Sequence, residues 1–322
     1  ALMALMETGV RRVRIPATDL LVLEHRARLA ECACLGLRFT LFSFGRPDDR
    51  LLDLVGNAKG LIDTWEICDT TEDLPGVVDV VRSTVKAAGI SLYLSRIRTR
   101  EDQESAGGKY HHMIVHGFTP DDDRRIEQIG GLADVDGLVF RIEGQTSPWS
   151  AARSALAACE GHEVKVSLHI RMTKGPPGLK QTDDEWVAAR MAEAVAAASA
   201  FKDVRVYADT FADVDRGYYR RHGIVDRFYN PRPGFEVVRQ LSAAFAQVRS
   251  LSPGNENAEV SLIGEDGERF ELVRGNSPAE QETDPASGWL IDLYSGDRVP
   301  ARRDAGDNVQ ALTTSPLSLW AS

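Results

Sequence analysis

"GLVFRIEGQTSPWSAARSALAACEGHEVKVSLHIRM", residues 137–172, is where the fold can be read. Its ends, "GLVFRIEG" (137–144) and "VKVSLHIRM" (164–172), are rich in β-branched and aromatic residues, the composition of strands. Between them, "SPWSAARSALAACEG" opens on Ser with Pro behind it, continues in Ala and Leu, and stops at Gly161. These are the start and stop signals of a helix. A strand, a helix and a second strand form a crossover unit, which makes the two strands parallel.

The unit repeats in both directions. Further strand candidates are "RRVRIP" (11–16), "RFTLFSFG" (38–45), "TWEICD" (64–69), "SLYLSRIR" (91–98), "HHMIVHGF" (111–118) and "VRVYADTF" (204–211). Helical patterns lie between most of them: "TDLLVLEHRARLAECACLG", "DDRLLDLVGNAKGL", "LPGVVDVVRSTVKAAG", "DDDRRIEQIGGLA" and "TDDEWVAARMAEAVAAASAF", with a last helix over about 234–249. About eight strands in roughly 250 residues predict an α/β chain of the (β/α)8 barrel type. No GxGxxG follows a strand, which counts against a dinucleotide fold. Little more than "TREDQESAGG" separates the fourth and fifth strand candidates, too short for a crossover helix. Those two are therefore expected to form a hairpin over the barrel mouth. Seven barrel strands remain, and the first is expected ahead of Ala1.

Helical periodicity ends after "SLSPGNEN". "AEVSLIGEDGERFELVRG" reads as a hairpin with an Asp-Gly turn, and "GWLIDLYSGDRVPARR" and "NVQALTTSPLSLW" read as further strands. The expected organisation is a barrel over residues 1–250 and a small antiparallel β-sandwich-like domain over 255–322, with a structural role.

The chain has 322 residues, 43% hydrophobic and 27% charged, with a net charge of -10. That balance argues against nucleic acid or an anionic membrane as partner. No run reaches the length of a membrane helix. Cys32, Cys34, Cys68 and Cys159 show no CxxC spacing and read as free thiols of a reducing compartment. The expected location is cytoplasmic.

A barrel carries its site at the C-terminal strand ends, and these ends are ionisable. They supply Glu66 and Asp69, Arg96 and Arg98, His112 and His116, Arg141 and Glu143, His169 and Arg171, and Asp209. A period of two places His112 with His116, Arg141 with Glu143, and His169 with Arg171 on shared faces, where apolar filling is expected deeper in. Glu66, Asp69, Glu143 and Asp209 can be paired carboxylates for acid/base or nucleophilic work. His116 and His169 can be general bases. His116, Glu143, His169 and Asp209 can also hold a divalent metal, although no HxH or HExxH supports one, and no cofactor is expected. Trp65, Trp149, Tyr218, Tyr219 and Tyr229 offer flat faces for sugar rings. After the strand that ends at Asp209, the loop brings Asp213, Asp215, Arg216, Tyr218 and Tyr219 before "NPRPG" (230–234) delays the next helix. So dense a set of Arg and Asp predicts a fixed loop across the barrel top, either a wall of the site or a structural clasp.

"TWEICDTTED" resembles the "WE-x-x-NEP" strand end of clan A glycoside hydrolases such as family 39. The trailing "GWLIDLYSG" and "LTTSPLSLW" resemble the β domain behind those barrels. "DTFADVDRGYYRRHGIVDRFYNPR" is similar to the barrel of the D-apionate lactonase family. The resemblance implies a carbohydrate-active hydrolase with a small carbohydrate or sugar-acid substrate. It departs where the hydrolases carry their two catalytic glutamates. Asp69-Thr70 stands for Asn-Glu, and "SLHIRMT" ends in His169, Arg171 and Thr173. Lactone hydrolysis needs neither glutamate. It needs a base for water and cations for the oxyanion. The resemblance then implies His169 or His116 as base, Arg171 and Arg141 on the anion, and Glu143 and Asp209 as orienting groups. Glu66, Asp69, Arg141, Arg216, Tyr218 and Tyr219 are left for substrate. A glycosidase with relocated carboxylates and a carbohydrate-binding barrel without catalysis both stay open.

Overall fold

Alternation of a two-residue and a 3.6-residue apolar period forces the first 250 residues into strands covered by helices. In the computed structural model, residues 1–100, 115–142, 146–172, 183–215, 220–221, 223–254, 260–274, 287–303, 309–310 and 317–321 are described. Seven strands run in chain order through one parallel sheet: β1 Arg12–Pro16, β2 Arg38–Phe44, β3 Ile62–Asp69, β4 Ser91–Arg96, β5 Gly137–Ile142, β6 Lys165–Arg171 and β7 Val204–Asp209. Helix α1, Leu2–Glu7, precedes β1. Then α2 Leu23–Cys34, α3 Asp49–Gly56, α4 Leu74–Ala88, α5 Asp123–Gly130, α6 Pro148–Ala158 and α7 Asp184–Ala200 connect successive strands, and α8 Pro233–Phe245 follows β7.

The caps explain the boundaries. Asp48 accepts from the amide of Leu51, Ser147 from Ser150 ahead of Pro148, and Asp183 from Trp186, each satisfying an amide the first turn leaves open. Gly89 closes α4 in the left-handed conformation. The helix expected from Thr18 is broken. A 3-10 turn occupies Ala17–Leu21, and Val22 is extended before α2 starts.

The apolar core lies between the sheet and the helices. Trp65, Ile67, Leu92, Leu94, Leu138, Phe140, Leu168 and Ile170 face outward to Val81, Ile126, Ala152, Ala192 and Val238. Trp65 and Trp149 are fully buried there, so neither is a sugar platform. The opposite face of the same strands is polar. Arg14 of β1 reaches Glu66 of β3, Thr40 of β2 reaches Tyr207 of β7, and Arg205 of β7 bonds Thr64 of β3 and lies over the ring of Tyr93. The apolar filling expected deeper in the barrel is absent at these positions. Among the described residues β1 and β7 each pair on one side only. A cavity of about 760 Å³ follows that gap along residues 10–14 and 204–211 up to the strand ends.

The fourth and fifth strand candidates are joined as a hairpin would be at one point, an antiparallel bridge between Ile97 and His116; most of that segment lies outside the described residues. The C-terminal strands form one antiparallel sheet: β10 Leu251–Pro253, β11 Ser261–Gly264, β12 Arg269–Arg274, β13 Ser287–Asp292, β14 Arg298–Arg303, β15 Val309–Gln310 and β16 Leu317–Ala321, in the order β10-β11-β12-β16-β13-β14-β15. A two-stranded pair, β8 Val214–Asp215 and β9 Arg220–Arg221, lies in the loop after β7. No helix among the described residues is long and apolar enough to cross a membrane.

Candidate active site

Strands β4 and β5 pair only at Tyr93–Gly137 and Leu94–Leu138, then part. Residues 116–118 fill the opening. The Gly117 amide donates to the Arg96 carbonyl, the Phe118 amide to Val139, and the Arg141 amide to Phe118. This insertion, rather than a barrel strand, carries His116 to the barrel axis, where it is 7% exposed. Its ring stacks on that of His169 from β6 at 5.2 Å and meets Phe44 edge-on.

Around His116 the groups are close. Arg14 Nε lies 2.6 Å from Glu66 Oε2 and its terminal nitrogen 3.0 Å from Oε1, a two-pronged pair. Arg14 also stacks 3.9 Å above Phe42. Cys68 Sγ is 3.5 Å from Glu66 Oε1 and 3.7 Å from His116 Nδ1, and Ser95 Oγ is 2.9 Å from the same nitrogen. Burial opposes charge on Glu66, yet the Arg14 guanidinium outweighs it and holds the carboxyl below its usual range. Burial pushes the Cys68 thiol well up, with the Glu66 charge adding to it. Burial also pulls His116 down to about 4 and His169 well below its ordinary value, with Arg14 among the positive neighbours in both cases. Both imidazoles are therefore neutral at pH 7. Arg141 is drawn down to about 9, first by burial and then by the like charges of Arg171 and Arg98.

The structure thus brings His116, His169, Arg141, Arg171 and Asp209 to one cavity, together with Arg14, Phe42 and Tyr207. Glu66 lies below the strand end, fully buried and tied to Arg14. Asp69 accepts the amide of Thr70 and shapes the turn instead of lining the cavity. Arg96 is buried in a pair with Asp122. Tyr229 is exposed in a turn at φ 66°. Glu143, Arg216, Tyr218, Tyr219 and His112 lie outside the described residues. The Arg-Asp pairing expected of the loop after β7 is found at Arg232, which bonds Asp213 at 2.5 Å and Asp184 at 3.2 Å.

Arg14 was not among the sequence candidates. It stands mid-strand in "RRVRIP", and only its position across β2 from Glu66 reveals it. Cys68 was read only as a free thiol. Of the metal set read from the sequence, His116, His169 and Asp209 line the cavity and Glu143 lies outside the described residues; among the described residues the group at ligand spacing is Glu66, Cys68 and His116.

No protein-family model matches the sequence, and no curated protein matches it. Among solved structures the chain is similar to a family 39 glycoside hydrolase from the gut symbiont Bacteroides cellulosilyticus WH2. That match has a TM-score of 0.66 at 14% identity over 100% of this chain and 77% of the other. It is also similar to a glucosidase from Croceicoccus marinus, with a TM-score of 0.58 at 13% identity over 99% and 90%. A calcium-binding mutant of Bacteroides uniformis beta-glucuronidase 2 gives 0.50 at 11% identity over 93% and 41%. At these identities the likeness is one of fold: a glycoside-hydrolase-like TIM barrel followed by a β domain.

Proposed function

We propose that the chain is a carbohydrate-active hydrolase that opens the lactone of a sugar acid. One observation carries the reading. Two neutral imidazoles, His116 and His169, meet the guanidinium groups of Arg14, Arg141 and Arg171 in one cavity, while Glu66, whose carboxylate lies 3.5 Å from His116, is held ionised by Arg14. A glycosidase needs a protonated acid opposite a second carboxylate, and Glu66 held in this way cannot serve as that acid. An ester needs a neutral base and a positive seat for the developing oxyanion. The likeness of the barrel to glycoside hydrolase folds makes a sugar ring the natural guest.

In this reading His169 takes a proton from water as the water oxygen attacks the lactone carbonyl. Arg171 and Arg141 hold the oxyanion, and Asp209 orients. Collapse breaks the ring C–O bond, and His169 returns the proton to the leaving hydroxyl. The product is a hydroxy acid, which ionises and releases one proton. The same guanidinium groups hold the product carboxylate. The like charges of Arg171 and Arg98, which add to burial in depressing Arg141, are offset when an anion enters.

The test is proton release at constant pH from a panel of sugar lactones, wild type against His169→Ala. Loss of a general base lowers turnover by about 10²–10⁴-fold. Release in the wild type that falls by that factor in the variant supports the reading. No release from any lactone overturns it. Binding of lactone or aldonate without turnover replaces it with a carbohydrate-binding barrel.

A further inference from the structure

The donor atoms around His116 fit a second chemistry. Glu66 Oε1, Cys68 Sγ and His116 Nδ1 form a triangle of sides 3.5, 3.5 and 3.7 Å, and all three residues are buried. Zinc binds carboxylate oxygen and imidazole nitrogen at about 2.0–2.2 Å and thiolate sulfur at about 2.3 Å, so tetrahedral angles place such donors about 3.3–3.6 Å apart. The triangle matches that spacing without movement of the backbone. Hydrogens are few there: the Cys68 thiol carries one, the Ser95 hydroxyl supplies one, and His116 Nδ1 carries one in only one of its two tautomers.

We infer that Glu66, Cys68 and His116 form a binding site for one borderline divalent cation, of which Zn2+ is the best match, at the floor of the cavity.

The surroundings support the site. A carboxylate ligand is normally fixed by a hydrogen bond from behind, and the two-pronged contact of Arg14 does this for Glu66. Thiolate and carboxylate together offset the charge of the dication, and the neutral imidazole adds none. A thiolate with imidazole selects zinc over magnesium or calcium, which prefer oxygen alone. His116 lines the cavity, which supplies an entry path. Three protein ligands leave a fourth position for water or the Ser95 hydroxyl, the pattern of an open rather than a structural site. Binding exchanges the thiol proton for the ion and releases that proton to solvent. The site is independent of which substrate the cavity takes.

The test is spectroscopic. The chain is stripped with a chelator, dialysed and titrated with Co2+. The expected result is one Co2+ per chain with a sulfur-to-cobalt charge-transfer band, displaced by one equivalent of Zn2+. Cys68→Ala, a small change at a buried position, should keep the fold and lose the band. Cys159→Ala, buried elsewhere, should keep both. Failure to retain Co2+, binding without a sulfur band, or a band that survives in Cys68→Ala would each overturn the site. Because the readout is absorbance, its failure leaves the hydrolase reading untouched, and a lactone panel without turnover leaves the metal site untouched.

Discussion

At Gly117 the backbone runs at φ 109°, and a Cβ there would lie 2.7 Å from the Arg141 Cβ and 2.9 Å from its amide nitrogen. The neighbours are two residues of the proposed site, His116 by sequence and Arg141 across the gap. Gly117→Ala must therefore move both. The expected cost is about 1–3 kcal/mol from the backbone conformation alone, and lactone turnover should fall further than stability does. Denaturant midpoints with kinetics on the same preparation check this. Wild-type stability and turnover would show that the insertion is loosely held. Nothing in "HHMIVHGF" announces this role, because β-branched and aromatic residues read as an ordinary strand. The parting of β4 and β5 that admits the segment is a tertiary event. Cys68 was obscured in a similar way. Glu66 and Cys68 share a strand face by their spacing of two, but His116 is 48 residues further along, and no local motif joins them.

Elements were more legible than residues. Strand and helix patterns have different periods, so the parallel sheet of β1 to β7 and the helix after each strand followed from the sequence. Which face of a strand points to the axis did not follow. Both faces of β3 are buried, and a strand in a covered sheet shows no clean alternation to orient it. The loop after β7 is a case where local chemistry is explicit. The Asp226 carboxylate accepts the amides of Phe228 and Asn230 and the side-chain amide of Asn230. Those bonds favour the charged form, the Asn230 side chain most, and hold Asp226 below its usual value of 3.8. A depressed carboxyl contributes its ordering above the unfolded value and loses it as pH falls through the folded one. The Phe228–Asn230 turn should thus be unchanged from pH 7 to 5 and loosen below about 3.8. Amide shifts of Phe228 and Asn230 followed by NMR report it. Asp226→Asn should abolish the acid transition, and an unchanged titration in that variant would remove Asp226 as its source.

Across the whole molecule the barrel and the C-terminal sheet share one apolar core. Phe245 of α8 meets Phe270 of β12 edge-on at 5.5 Å, and Val260, Leu262, Leu272, Ile291 and Leu319 continue the cluster that begins in the barrel helices. The sheet begins with β10 at Leu251, so residues 246–250 alone connect it to the last barrel helix. Among the described residues β1 and β7 each pair on one side only, and α8 beside them packs on the C-terminal sheet through Phe245. Phe270→Ala removes a buried aromatic at a cost of about 3–5 kcal/mol. The loss should spread: hydrogen exchange should rise in peptides of α8 as well as in β11, β12 and β16, with a single thermal transition displaced downward. If exchange rises in the sheet while α8 stays protected, the two parts are separate cooperative units. The β domain would then be an attachment to the barrel rather than part of its support.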